Sequence, residues 1–109
     1  MSTAPEDVRL QASDPAVAKA VAAPVLLALG ARAGFDVGRL DEFAIALDIA
    51  IASAVPGPVR ADMRLTGARL SVTVSPVAPD RLHGRRVLLE ELSAGVVENG
   101  DAIALTLDG

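Results

Sequence analysis

The sequence predicts an α+β domain, a two-layer sandwich in which an antiparallel sheet of four or five strands carries three helices on one face. Two stretches rich in alanine and large aliphatic residues fill the first half of the chain, and segments of alternating hydrophobicity fill much of the second half. The breaker Pro56-Gly57-Pro58 separates these two parts, and Asn99-Gly100 is a strong signal for a β-hairpin turn. Helices and strands are therefore segregated along the chain, which is typical of this class.

The chain begins with small, polar and acidic residues, which predict a flexible N-terminus over residues 1–7. A single domain is expected over residues 8–109, because a chain of 109 residues is long enough for one core and too short for two. Its first element is predicted to be a short edge strand in the stretch VRLQAS, from Val8 to Ser13.

The first helix is predicted from Ala16 to Ala33, because alanine and leucine favour helix. Ser13 or Asp14 is the expected N-cap, and the proline that follows suits the first helical position. Pro24 lacks a backbone N–H, so we expect it to kink or split this helix. Gly34 is the expected C-terminal cap.

The second helix is predicted to begin between Val37 and Leu40 and to run to Val55. Large apolar side chains recur at every second position from Phe43 to Ile51, which is a strand period, but most intervening residues are alanines, which favour helix. We interpret the segment as a helix that is apolar on two faces and buried on two sides. Asp48 is the single carboxylate in its apolar part, ALDIAIASAV.

The second half of the chain supplies most of the predicted sheet. Residues Val59–Gly67 and Ala68–Val77 predict two antiparallel strands joined by a turn at Thr66-Gly67. A third helix is expected from Asp80 to Gly95, and a β-hairpin from Gly95 to Gly109 closes the domain.

Composition excludes several kinds of chemistry. The chain has no cysteine, which excludes disulfides, cysteine-bound zinc and thiol catalysis. A net charge of −4 lacks the field that favours nucleic acid or anionic lipid, so neither is expected as a partner. The start has no signal-peptide pattern, and the apolar stretches fall short of the ~20 residues that a membrane span needs. We expect a soluble, cytoplasmic protein.

Two long stretches resemble one family, namely LLALGARAGFDVGRLDEFAIALDIAIASAV and LHGRRVLLEELSAGVVENGDAIALTLD. They are similar to the first two helices, and to the last helix with its closing hairpin, of the histidine-kinase-like (GHKL) ATPase domain. The similar form is the small one found in bacterial anti-sigma-factor serine kinases. The resemblance covers about Val8 to Asp108 and implies the fold of that family.

The first nucleotide signature of that family is degraded. The family carries an acidic residue that acts as general base and, four positions later, an asparagine that holds magnesium. Ile49 and Ser53 take these places here. Isoleucine can neither act as a general base nor position an attacking group, and serine is a short substitute for asparagine. A shift of one residue would put Asp48 at the acidic position and Ala52 at the asparagine position.

Two further signatures are also degraded. The adenine-reading motif D-x-G-x-G falls on PVAPD, where Pro76, Ala78 and Asp80 replace the aspartate and both glycines. In the glycine-rich phosphate lid, Gly84 remains and Arg86 stands where a second glycine is usual. The resemblance therefore implies a degenerate nucleotide site at these positions, with no catalytic residue, no metal and no cofactor.

Basic side chains cluster in the stretch DRLHGRR. Arg81, His83, Arg85 and Arg86 could contact a phosphate or an acidic partner, because guanidinium groups match phosphate oxygens and helix starts favour anions. A solvated run of charges is the simpler interpretation. Asp48 likewise has two interpretations, a structural carboxylate at the edge of an apolar helix or a catalytic base.

The resemblance implies a function for such a degenerate domain. It would be a catalytically inactive, anti-sigma-factor-like interaction module, a pseudokinase, in bacterial transcription or stress signalling. The implied partners are a sigma factor, an anti-anti-sigma protein of the STAS type, and a second copy of the chain. Two alternatives stay open: an active serine kinase that uses ATP and magnesium despite divergent motifs, and a dimerisation or scaffold domain without a link to sigma factors.

Overall fold

The structure, a computed structural model, describes residues 6–109. In chain order these residues form β1 (Glu6–Ala12), α1 (Pro15–Arg32), α2 (Val37–Ala52), β2 (Val59–Thr66), β3 (Arg69–Ser75), α3 (Pro79–His83), α4 (Arg86–Leu92), β4 (Gly95–Asn99) and β5 (Ala102–Asp108). The five strands build one antiparallel sheet in the order β1-β2-β3-β5-β4. The predicted α+β class with an antiparallel sheet is confirmed.

The edge strand β1 begins two residues earlier than predicted. Glu6 and Asp7 pair with Leu65 and Arg64 of β2, so they belong to the sheet and not to a flexible end. The rest of that predicted N-terminus, residues 1–5, lies outside the described residues.

Helix α1 has the predicted caps. The Asp14 side chain accepts a 2.9 Å hydrogen bond from the N–H of Val17 at the N-terminus. At the other end Gly34 has a φ of 83° and donates to the carbonyl of Ala31, while Phe35 donates to the carbonyl of Gly30. This pair of bonds is a Schellman motif, which satisfies carbonyls that the helix itself leaves without donors.

The prediction that Pro24 splits the first helix is wrong. Helix α1 is a single element of 18 residues with Pro24 inside it. Proline removes the donor to the carbonyl four residues earlier, that of Ala20. Both residues are exposed, so water can hydrate the released carbonyl and the helix continues.

Helix α2 confirms the helical interpretation of the alternating apolar segment. Its N-cap is Asp36, whose side chain accepts a 3.1 Å hydrogen bond from the N–H of Arg39. It ends at Ala52 with Ser53 as C-cap, three residues before the predicted end at Val55.

The prediction of one continuous third helix is wrong, because two short helices take its place. Gly84 is the C-cap of α3, and the N–H of Arg85 bonds the carbonyl of Leu82 at 2.9 Å before α4 begins. Leu82 and Leu89 are both buried, so each short helix has its own anchor in the core. Residues 6–109 thus contain four helices and not three.

Both hairpin turns lie one residue later than predicted. Thr66 and Asn99 are the last paired residues of their strands, so the turns consist of Gly67-Ala68 and Gly100-Asp101. The first residue of each turn has a positive φ, 59° at Gly67 and 63° at Gly100. Glycine adopts this conformation without steric cost, which explains why it occupies both positions.

The core lies between the helices and one side of the sheet. Alternate residues of the strands are buried, as Leu70, Val72 and Val74 are in β3. Helices α1 and α2 approach closely at Gly30, where a Cβ atom would lie 2.3 Å from Cδ2 of Leu40. The two helices therefore pack backbone against side chain at this point.

Helix α1 is more continuous than the sequence analysis expected, which bears on the prediction that no segment is long enough to span a membrane. By length and composition it could cross a membrane, because it continues through Pro24, where the sequence predicted a kink or a split. A core helix of a globular domain passes the same test. Five residues of α1 are buried in this fold, namely Ala18, Ala22, Leu26, Leu29 and Gly30.

Candidate functional site

The C-terminal end of α2 is closed by the segment that follows β3. The N–H of Val55 donates to the carbonyl of Pro76 at 3.0 Å, and the N–H of Ala78 donates to the carbonyl of Ser53 at 2.8 Å. Ala54 and Val77 form an isolated antiparallel bridge between these bonds, and both are buried. The segment 76–78 is thus paired with the end of α2 by backbone hydrogen bonds.

Ser53 is enclosed at this junction. Ser53 is 0 % exposed, and it is the only buried polar residue among residues 6–109. The hydroxyl Oγ donates to the carbonyl of Ile49 at 2.9 Å and accepts from Nη1 of Arg85 at 3.0 Å. Both polar functions of the hydroxyl are therefore used by the protein.

Two arginines hold the short helices onto α2. Arg85 reaches Ser53, and Nη1 of Arg81 donates to the carbonyl of Ala54 at 3.2 Å. Cations at this place are favourable because the last carbonyls of a helix carry partial negative charge. The break between α3 and α4 at Gly84 lets both arginines point to the same helix end.

The structure brings together part of the predicted site. Ile49, Ser53, Pro76 and Ala78 lie at or beside the end of α2, although the last two are about 25 residues away in sequence. Arg81 and Arg85 join them through the two bonds just described. The predicted positions of a degenerate nucleotide site thus converge on one region, and a close backbone pairing occupies that region.

Other predicted residues lie away from this junction. Asp80 and His83 are exposed on α3, and Gly84 is exposed beyond it. Arg86 forms ion pairs with Glu90, at 2.9 Å, and with Glu98. The hydrogen bond to Glu90 raises the pKa of Arg86. The arginines of the DRLHGRR cluster therefore differ in their contacts: Arg81 and Arg85 bond the end of α2, and Arg86 pairs with two glutamates.

An open cleft of about 430 Å³ lies between α2 and α4, with α1 at its rim. Ile45 and Leu88 face it although they are large and apolar, with 51 % and 47 % of their surfaces exposed. We call this feature the α2–α4 cleft. Its lining consists of Lys19, Ile45, Asp48, Ile49, Ala52, Arg85 and Leu88.

Asp48 lies on the wall of the α2–α4 cleft. It is half-buried, and its atom Oδ1 is buried without a hydrogen-bond partner among residues 6–109. Lys19 and Arg85 line the same cleft, but no cation in the described part of the chain lies within 4.0 Å of the Asp48 carboxylate. The carboxylate is neither fully solvated nor paired.

The site offers limited chemistry. Residues 6–109 contain no group of three or more histidine, aspartate or glutamate side chains that could hold a metal ion. Asp48 has no histidine or second carboxylate beside it in the cleft lining. A surface with apolar side chains at its centre and charges at its rim is typical of a binding site for another protein.

Sequence analysis missed Lys19, Ile45 and Leu88 as site residues. Ile45 and Ile49 lie four residues apart on the second apolar face of α2, and that face was assigned to the core. The missed signal is the pair of apolar residues beside a lone carboxylate, because an exposed apolar stripe next to a charge is typical of a docking surface.

The fold and this site define an α+β domain in which segment 76–78 covers the C-terminal end of α2 and an open apolar cleft lies beside it. No family model matches the sequence, and no curated protein is significantly similar to it.

Proposed function

We propose that the chain is a catalytically inactive, anti-sigma-factor-like module that binds other proteins in bacterial transcription or stress signalling. The α2–α4 cleft is the proposed binding surface, and a helix of a sigma factor is the proposed occupant. An anti-anti-sigma protein of the STAS type would compete for the same surface. Regulation would then depend on competition between partners and not on phosphoryl transfer.

One observation carries the proposal: Ser53 is completely buried and both functions of its hydroxyl are bonded within the protein. By the resemblance, this position would hold the magnesium of a nucleotide. A metal ligand needs an approach from solvent and surroundings that accept a cation. Ser53 is fully buried and the guanidinium cation of Arg85 is directed at its Oγ, and both features oppose metal binding. These features support a domain in which internal packing takes the place of nucleotide binding.

The way the helices pack on the sheet also supports a similarity to the histidine-kinase-like ATPase fold. Helix α1 packs on β1 and β2, α2 packs on β3 and β5, and α4 packs on β4. We infer from these contacts, and from the single buried side of the sheet, that the three longer helices form one layer. The histidine-kinase-like ATPase fold has such a layer, and its nucleotide cleft would lie at the end of α2.

The α2–α4 cleft suits an amphipathic helix. Ile45, Ile49 and Leu88 provide an apolar floor, which matches the anchors that a helix presents at intervals of three or four residues. Lys19 and Arg85 at the rim suit acidic residues beside those anchors, and Asp48 offers an unpaired acceptor to one donor. Complementary charges of this kind favour one orientation of a bound helix.

The test is a binding measurement with the sigma factors and STAS proteins of the host, by calorimetry without nucleotide. We expect one sigma factor to bind, and a STAS protein to displace it. Leu88→Asp and Ile45→Asp should each weaken binding by at least ~10-fold, because a charge replaces an apolar contact at the centre of the surface. Val87→Asp is the matched control for Leu88→Asp. Val87 precedes Leu88 on α4, is 70 % exposed and does not line the cleft.

Three results would contradict the proposal. The absence of binding to every sigma factor and STAS protein would favour a scaffold or dimerisation domain. Binding that is equally sensitive to Val87→Asp and Leu88→Asp would place the surface outside the cleft. Phosphorylation of a STAS protein with ATP and magnesium would identify an active serine kinase.

A further inference from the structure

Helices α2 and α4 lie side by side and run in opposite directions. At one end, Arg85, which precedes α4, bonds Ser53, which follows α2. At the other end, Glu91 near the end of α4 lines a depression of about 100 Å³ together with Arg39 and Glu42 from the first two turns of α2. The two helices therefore form the walls of a channel that runs along α2 from its last turn to its first.

The α2–α4 cleft continues into this second depression. On α2, Glu42 precedes Ile45 of the cleft by about one helical turn. On α4, Glu91 follows Leu88 of the cleft by about one turn. The lining of both parts covers positions 39–52 of α2, which is roughly 20 Å of helix. We call the cleft and the depression together the α2–α4 groove. Its length suits a helix of three to four turns.

The two ends of the α2–α4 groove carry opposite charge. Lys19 and Arg85 line the end beside the last turn of α2, and neither has a carboxylate within 4.0 Å among residues 6–109. Glu42 and Glu91 line the other end beside Arg39, and neither has a cation within 4.0 Å in the same part of the chain. All five side chains are exposed, so their charges act on anything that enters the groove.

We infer that the α2–α4 groove takes an amphipathic helix of one charge order and in one direction. The occupant has acidic residues in its first turn, apolar anchors in its middle and basic residues in its last turn. Its N-terminus lies at Lys19 and Arg85 and its C-terminus at Glu42 and Glu91, so it runs antiparallel to α2. The inference rests on the proposed function in one respect, because it takes the α2–α4 cleft as a helix-binding surface.

The physics of helices selects this charge order. Acidic residues stabilise the first turn of a helix and basic residues stabilise its last turn. A segment with this order is therefore helical to a larger extent before it binds, and it loses less conformational entropy on binding. The dipole of the occupant places only about half a charge at each end, so the full charges of its side chains decide which end meets Lys19 and Arg85.

The middle of the α2–α4 groove matches the middle of such a helix. Ile45 and Ile49 are one turn apart on α2, and Leu88 of α4 lines the same cleft. The atom Oδ1 of Asp48 is buried among them without a hydrogen-bond partner from residues 6–109. Because buried oxygens are normally hydrogen-bonded, the occupant needs one side-chain N–H between its apolar anchors.

The first test uses two synthetic peptides of the same composition. Peptide A has two glutamates in its first turn, three leucines and one glutamine in its middle, and two lysines in its last turn. Peptide B has one glutamate and one lysine in each of these terminal turns. The wild-type chain should bind peptide A at least ~10-fold more tightly than peptide B in low salt, because only peptide A is complementary at both ends. In about 1 M salt the difference should fall to within ~2-fold, since exposed charges are screened.

The second test removes the charge difference between the ends of the groove. Lys19→Glu combined with Glu91→Lys should leave the fold intact, because neither side chain has an ion-pair partner among residues 6–109. This double variant should bind peptides A and B within ~2-fold of each other. Arg9→Glu combined with Asp80→Lys is the matched control, since it makes the same exchange of charge at exposed residues outside the groove. The control should keep the preference for peptide A, whereas a difference in helicity between the peptides would act equally on all chains.

The third test measures direction and uses the absence of cysteine from the chain. Ala52→Cys marks the basic end of the groove and Arg39→Cys marks the acidic end, and both positions are exposed in its lining. Peptide A with an N-terminal cysteine should form a disulfide with Ala52→Cys and not with Arg39→Cys. A C-terminal cysteine should show the opposite selectivity. The two positions lie roughly 20 Å apart along α2, and a disulfide joins Cα atoms no more than ~7 Å apart.

The outcomes separate this inference from the proposed function. Failure of the wild-type chain to prefer peptide A, or linkage of its N-terminal cysteine to Arg39→Cys, would overturn the inference. Sigma-factor binding that is lost in Leu88→Asp but unchanged in the Lys19→Glu, Glu91→Lys double variant would also overturn it, and would leave the proposed function standing. Binding of peptide A in the stated direction, without binding to any sigma factor or STAS protein, would support the inference and contradict the proposed function.

Discussion

Arg85 and Ser53 are joined across 32 positions of the chain by a hydrogen bond of 3.0 Å from Nη1 to Oγ. The bond connects the residue that precedes α4 to the C-cap residue that follows α2. It leaves Arg85 at the rim of the α2–α4 cleft and removes the Ser53 hydroxyl from solvent. The same contact therefore closes one region of the molecule and shapes the region beside it.

We expect Ser53→Ala to lower the free energy of unfolding by about 1 kcal/mol, because the bond from Arg85 and the bond to the Ile49 carbonyl are both lost. Arg85→Ala should cost less, since the Ser53 hydroxyl keeps its bond to that carbonyl. Urea melts of both variants and of the double variant give the coupling energy of the Arg85–Ser53 bond, expected at roughly 0.5 kcal/mol. Val87→Ala, on an exposed side chain, should stay within ~0.5 kcal/mol.

Asp48→Asn tests the unpaired carboxylate in the cleft. We expect the substitution to raise the free energy of unfolding by up to ~1 kcal/mol, because a neutral amide is less costly to remove from water than a carboxylate without a partner. Asp41→Asn is the matched control, since Asp41 is exposed on the same helix. A loss of ~3 kcal/mol or more would instead show that Asp48 pairs with a cation in solution.

The wild-type chain should not bind ATP at micromolar concentrations, with or without magnesium. The predicted metal and adenine positions lack the family's groups, the lid keeps one of its two glycines, and each lost hydrogen bond or metal contact typically costs ~1–3 kcal/mol. Calorimetry with ATP up to the millimolar range measures this directly. A saturable signal in the low micromolar range that needs magnesium would show that a nucleotide site survives beside α2.

Gly30→Ala should destabilise the domain by ~1 kcal/mol or more. Alanine is the better helix former, but its Cβ would lie 2.3 Å from Cδ2 of Leu40, which is buried and has little room to move. Gly84→Ala is the control, because a Cβ there meets nothing within 4 Å and its φ of −80° suits alanine. Thermal melts should show a lower Tm for the first variant and an equal or higher Tm for the second.

Elements whose boundaries depend on neighbouring residues could be predicted from the sequence. Asp14 and Gly34 predicted the ends of α1, because capping depends on hydrogen bonds within one turn of the chain. The helical interpretation of α2 was correct because alanines between its large residues outweighed the strand period. The hairpin near Asn99-Gly100 was found within one residue, since glycine is needed where φ is positive.

Errors occurred where contacts between distant segments decide the structure. The break between α3 and α4 lets Arg81 and Arg85 reach the end of α2, a requirement that is not visible in DRLHGRR itself. Pro24 left α1 intact because the affected carbonyl faces solvent, and exposure is a property of the folded state. The α2–α4 cleft is defined by three helices, so periodicity within α2 assigned Ile45 to the core.

The order of the sheet also has a consequence during synthesis. Ala12 at the end of β1 pairs with Val59, 47 positions later, and Glu6 at its start pairs with Leu65. At a translation rate of ~5–20 residues per second, β1 leaves the ribosome several seconds before its partner strand is made. During this interval both edges of β1 are open and α1 has no sheet to cover, so the nascent chain exposes more apolar surface here than the finished domain does. Chaperones that bind nascent chains would therefore be expected to engage this N-terminal strand and helix before the rest of the domain is complete.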